Sequence, residues 1–278
     1  MPLPKKQRTA ERKSKLNPSS EGFFHSKIKE ATMKKLLTAI GLSLTLIAPV
    51  TAESIKASHP VVKDYSIAAM GCMILLDCYE GIEKVSPDKD FGERFVLFKD
   101  EIKRILTALD KLGIAVYIGH ERYFTRSTAG LYKPDYNRLF INRNLLDDPR
   151  EFLGTLRHEG WHTVQDCMGG GVETSFMAQV HQDNEIPNWL RERVTRIYNI
   201  AGMSRAVPWE VDANWAEEQS NVTAEKLEMC AKGPLWEQIT PTPMTKEWLI
   251  GCGFMKPQDK LQPYTASEKK NYCTPGKY

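Results

Sequence analysis

The chain has 278 residues, with 38 Lys and Arg against 35 Asp and Glu and 41% hydrophobic residues. That length and apolar content exclude a wholly disordered chain and allow one sizeable core or two small lobes. Residues 1–52 hold 10 of the basic and 3 of the acidic side chains, which leaves 28 and 32, a formal charge of −4, for residues 53–278. The basic balance belongs to the leader, and the rest of the chain makes no case for nucleic-acid binding.

Residues 1–32 are polar and basic, with Lys5, Lys6, Arg8, Arg12, Lys13 and Lys15 and no apolar period. They read as a disordered leader or as sequence ahead of a mis-assigned start. Met33-Lys34-Lys35, the apolar stretch from Leu36 to Val50, and Val50-Thr51-Ala52 together match a secretory signal over residues 33–52. The stretch falls short of the ~20 residues that span a bilayer. A secreted or periplasmic protein is expected, with no stable membrane insertion after processing.

All 6 cysteines lie beyond this signal, at Cys72, Cys78, Cys167, Cys230, Cys252 and Cys273. In an exported chain they suggest up to three disulfides, in any of about 15 pairings. Cys72 and Cys78 cannot join within one straight helix, because six residues rise ~9 Å. Either the helix breaks between them or each pairs elsewhere.

The apolar run from Val61 to Val85 predicts a buried helix broken near Gly81. Asp90-Phe91-Gly92-Glu93 opens another, and Phe95, Phe98, Ile102, Ile105, Leu106 and Leu109 give it an apolar stripe of helical period ending at Gly113. Ile114 to Ile118 reads as a strand. Gly130-Leu131-Tyr132 and Arg138 to Asn142, joined around Pro134-Asp135, read as a hairpin.

Asp148-Pro149-Arg150-Glu151 is a strong helix start: an N-cap, a proline at the first helical position and the N3 partner of a capping box. Gly169-Gly170-Gly171 ends the helix. Past its middle stand His158-Glu159-Gly160-Trp161-His162, an H-E-x-x-H pattern. Two histidines four apart share one helical face and can reach a single metal at ~2.0–2.1 Å. The Glu between them lies beside that metal and can take a proton from a bound water.

Catalytic zinc usually takes three protein ligands. Met168 stands where a further downstream histidine would be, and Gln165 is not glycine. The best third ligand is Glu210, in the first turn of a helical run that Pro208 opens and that continues through Trp215, Val222, Leu227 and Cys230 to Gly233. His181 is the next candidate, with Asp212, Glu217, Glu218, Glu173 and Glu185 also available. Residues 169–186 read as a polar, Gly-rich loop or lid. A helix follows through Trp189, Leu190, Val194 and Tyr198, its Arg191, Arg193 and Arg196 on a solvated face. After Gly233 the chain reads as loops held by disulfides.

On His158, Glu159, His162 and the later Glu210, the sequence resembles the gluzincin branch of the zincin-like metallopeptidases, over roughly residues 135–230. The resemblance implies an α+β, zincin-like fold, predominantly helical, with a small mixed sheet edging the metal cleft. It implies a catalytic domain over residues 53–233, followed by a disulfide-held tail over 234–278. His158, His162 and Glu210 would bind Zn²⁺ and Glu159 would be the general base of amide hydrolysis, on peptide or peptidoglycan-type substrates. Tyr198, Tyr132 and His181 are unranked candidates for the donor to the oxyanion. The family often places Asp four residues after the third ligand, to orient a ligating histidine, and here that residue is Asn214. The departure supports a rival expectation, a secreted binding protein on a zincin scaffold with weak or no activity.

Overall fold

The computed structural model describes residues 66–273 apart from Tyr79 and Asp259. The leader and the expected signal at 33–52 lie outside the described residues. The fold is mixed α+β, 55% helical, with one open four-stranded sheet. Among the described residues no helix is long and apolar enough to cross a membrane.

The sheet runs in the order β1-β2-β4-β3. Its strands are β1 (Ile82–Val85), β2 (Ala115–Gly119), β3 (Gly130–Lys133) and β4 (Arg138–Asn142). β2 and β4 pair in parallel, and the two outer pairs are antiparallel. Side chains alternate across a strand, so each sheet face gathers its own core. Val116, Ile118, Leu139 and Ile141 join the main core with the helices that follow. Phe140, Tyr117 and Leu131 face the other way, onto Ala69 and Met73 of α1 (Ile67–Leu75) and onto Tyr123 and Phe124. The expected hairpin is the β3–β4 pair.

The buried helix expected over 61–85 is corrected. Ser66 caps α1, Leu76 ends it in the left-handed region at φ 62°, and residues 82–85 form β1 instead. Periodicity alone cannot show that β1 has a distant partner in β2. The reversal at Leu76 brings the Cα atoms of Cys72 and Cys78 to 5.2 Å, and the two are bonded. Two more disulfides, Cys167–Cys230 and Cys252–Cys273, account for the other cysteines.

The stripe helix begins later than expected. A short 3-10 turn at Glu93–Phe95 precedes α2 (Lys99–Lys111). Its apolar stripe is nonetheless the buried one: Phe95, Ile102, Ile105, Leu106 and Leu109 are all in the main core.

α3 (Pro149–Met168) is the central element, and its ends fall where the sequence reading put them. The expected capping box is not formed, because the Asp148 amide donates to the Leu145 carbonyl and not to Glu151. Asp148 Oδ1 accepts from the Arg150 and Glu151 amides, and Gly169 is the C-cap. Phe152, Leu153, Leu156, Trp161, Val164 and Met168 are buried in the main core.

The single run expected over 208–233 is two helices, α5 (Val207–Glu217) and α6 (Val222–Cys230), after α4 (Asn188–Ile200). The break falls at Asn221, in the left-handed region at φ 64°. Asn221 Oδ1 accepts from Arg104 at 2.8 Å, and its amide donates to Glu101 at 2.7 Å. Both partners are more than a hundred residues away in sequence.

Residues 169–186 are packed rather than a free-standing lid. Val172, Ala178, Val180 and Ile186 are buried, and the Ala178 amide donates to the Gln165 carbonyl. The expected tail of loops contains α7 (Leu235–Gln238), α8 (Pro243–Cys252) and α9 (Ala266–Tyr272). Leu235 belongs to the main core, and the Thr245 hydroxyl donates to the Gln179 carbonyl at 2.9 Å. The core therefore continues past residue 233.

Candidate metal centre

α3 presents His158 and His162 one turn apart, with ring centroids 5.0 Å from each other. α5 packs across them and delivers Glu210 from its first turn. His158 Nε2 lies 3.3 Å from Glu210 Oε2, and His162 Nε2 lies 3.7 Å from Glu210 Oε1. The three ligand atoms all fall within 4.8 Å of one another, so His158, His162 and Glu210 could hold a metal ion. Ligands ~2.0–2.1 Å from a tetrahedral ion stand about 3.3–3.4 Å apart, which the His158 pair meets, whereas the other ligand atoms would have to draw closer. Among the described residues, the predicted trio is the group that the fold brings together.

The electrostatics suit a cation. Burial pushes the Glu210 carboxyl up, but the His162 and His158 imidazoles and the Tyr198 hydroxyl outweigh burial and hold it at about 2. Burial disfavours a charged His158, yet Glu210 and Glu217 raise it well above the ordinary imidazole range. The two carboxylates thus favour a positive charge at His158. Metal and proton compete for the same place.

Both outer ring nitrogens are held. His158 Nδ1 is 3.1 Å from Glu217 Oε2, and His162 Nδ1 is 2.8 Å from Gln165 Oε1. Such partners orient ligating imidazoles. Asn214 does not serve here: its Nδ2 donates to the Glu210 carbonyl in its own helix at 2.9 Å. Glu217 takes that part because it is seven residues after Glu210, two turns along the same face. The sequence reading weighed Glu217 only as a ligand and missed Gln165, although Gln165 stands one turn from His162.

Glu159 is buried beside the trio. Burial pushes its carboxyl up, against the pull of the His158 and His162 imidazoles. β3, at the edge of the sheet, passes directly over it. A Cβ on Gly130 would lie 2.6 Å from Glu159 Cγ and 2.7 Å from Thr155 Cγ2, so only glycine lets the strand come this near.

The other candidates are engaged elsewhere. His181 Nδ1 is 2.5 Å from Asp212, and its ring lies against Trp161 and Trp215. Tyr132 donates to Asp166 at 2.9 Å. Glu218 pairs with Arg193, and Glu185 accepts from the Gln182 amide. Tyr198, from α4, donates to Glu210 Oε2 at 2.5 Å and is the aromatic hydroxyl at the centre.

Comparison of the chain with family models, characterised proteins and solved structures returns no match.

Proposed function

We propose that the chain is an exported zinc-dependent hydrolase of amide bonds, built on a zincin-like scaffold. The observation that carries this reading is the trio of buried His162 and half-buried His158 and Glu210, with Glu159 beside it on the helix of the two histidines. Two imidazoles and one carboxylate are the donor set of catalytic zinc in hydrolases of this kind. Zinc, when bound, supplies a Lewis acid for the scissile carbonyl and lowers the pKa of its water.

The rest of the chemistry falls to the chain. Glu159, made more basic by burial, takes a proton from the attacking water and passes it to the leaving amine nitrogen. Tyr198 is the candidate donor for the developing oxyanion because its hydroxyl already reaches the centre, on Glu210, and turning from that carboxylate would present it to the oxyanion. Tyr132 and His181 are instead held by aspartates outside the trio. β3 is an edge strand that passes over Glu159, and an extended substrate backbone would pair along its open edge. The substrate class is then a peptide or a peptidoglycan cross-link. Three disulfides agree with an oxidising compartment.

The scaffold-only reading rested on Asn214. It loses that support, because Glu217 stands behind His158 instead.

The test is metal analysis and peptide hydrolysis of the purified protein beside Glu159→Gln. One zinc per chain, with hydrolysis lost and zinc retained in the variant, supports the proposal. Zinc without cleavage across a broad peptide library supports a binding protein, and no zinc refutes both.

A further inference from the structure

His162 can bind a metal through Nε2 only if that nitrogen carries a lone pair, which puts the ring's proton on Nδ1. Nδ1 faces the side chain of Gln165 at 2.8 Å. An amide offers oxygen at one end and NH₂ at the other, and the two ends select opposite tautomers. The direction of the Gln165 amide therefore decides whether His162 can be a ligand.

That direction is set at the far end of the amide. There Gln165 meets two acceptors, the Trp209 carbonyl at 2.9 Å and Asp212 Oδ2 at 3.1 Å. Reversal would set the amide oxygen against both of them. Asp212 is fully buried and held in turn. It accepts from the Val180 amide at 2.9 Å, the His181 amide at 3.3 Å and the His181 ring at 2.5 Å. The His181 ring is fixed between Trp161, stacked at 4.9 Å, and Trp215, tilted at 4.1 Å.

We propose that Gln165, locked by Asp212 and His181, is a positioning residue that keeps His162 in the metal-binding tautomer. None of the three touches the metal position. They act in sequence: His181 stops Asp212 turning, Asp212 stops Gln165 reversing, and the Gln165 oxygen holds the proton on Nδ1. This assignment rests on the metal reading of His158, His162 and Glu210, not on hydrolysis.

The experiment is long-range ¹H–¹⁵N NMR of the full, metal-free chain at pH 8, paired with Zn²⁺ affinity by chelator competition. The neutral His162 ring is expected as the Nδ1–H tautomer, and a neutral ring with its proton on Nε2 alone overturns the proposal without any variant. Gln165→Met, of similar size but apolar, is expected to mix the tautomers and weaken Zn²⁺ about 10–100-fold. Unchanged affinity with Nδ1–H intact overturns it. His181→Asn keeps an N–H donor for Asp212 and is expected to stay near wild-type affinity, whereas His181→Ala does not. Equal losses from both overturn it, as does a wild-type chain that binds no metal. A chain that shows these shifts and cleaves nothing refutes the hydrolase instead.

Discussion

Glu217 Oε2 lies 3.1 Å from His158 Nδ1, while Glu210, seven residues earlier on the same helix, faces the other nitrogen of that ring at 3.3 Å. One face of α5 thus supplies both a candidate metal ligand and the group behind a second candidate. Glu217→Ala is expected to weaken Zn²⁺ binding about 10–100-fold, and Glu217→Gln by less, since an amide oxygen still accepts the ring proton. Chelator competition measures both. Thermal unfolding of the metal-free variants should change little, because the Glu217 side chain is 37% exposed.

Gly130 marks the closest approach of β3 to α3. In Gly130→Ala the new methyl meets Glu159 and Thr155 at under 3 Å, and strand or carboxylate must move. We expect a stability loss of about 1–3 kcal/mol, as for other overpacked sites. Peptide hydrolysis should fall by more than that loss of folded protein explains, with zinc content unchanged. Urea titration beside a rate measurement separates the two effects.

Tyr198→Phe removes the hydroxyl at the centre together with its hydrogen bond to Glu210. Loss of a single oxyanion donor costs about 10²–10³ in kcat. With zinc saturating, a fall of that order with KM near wild type is expected by steady-state kinetics on a peptide, while chelator competition should show weaker zinc binding from the lost Glu210 contact. A rate within twofold of wild type would assign the donor elsewhere.

Asp166 gives a pH signature. Burial pushes its carboxyl up to about 7, against the Tyr132 hydroxyl that donates to it. The folded chain therefore binds this proton more tightly than the unfolded one. The stabilisation is complete below the ordinary carboxylate range, declines as pH rises from about 4, and is gone above about 7. Asp166→Asn can still accept from Tyr132 without ionising. It should be close to neutral at pH 5 and more stable than wild type by about 1–3 kcal/mol at pH 8.5. Denaturant unfolding at the two pH values tests the sign.

The Cys167–Cys230 bond joins the C-terminal turns of α3 and α6 across 63 residues of chain. Replacing both with alanine is expected to destabilise the protein by about 2–5 kcal/mol. Zinc affinity should persist at low temperature, because neither cysteine contacts the trio. Thermal unfolding and zinc titration check the two halves.

Much of this protein is legible in one dimension because the signals are local. Asp148, Pro149 and Gly169 bound α3 through their own backbone preferences, and the Phe95 to Leu109 stripe names its buried residues through helical period alone. His158 and His162 share a face for the same reason. Glu210 became a candidate because Pro208 starts a helix just before it.

What the tertiary structure decided is what depends on partners far away in sequence. β1 exists because β2 pairs with it, and α5 ends short of α6 because Arg104 and Glu101 hold Asn221. The choice of Glu210 over His181 needed the crossing of α3 and α5, which turns Glu210 toward the two histidines and sets Asp212 against His181. The same crossing put Glu217 in the place expected of Asn214. Helical period says which residues share a face, but only packing between elements says what that face meets.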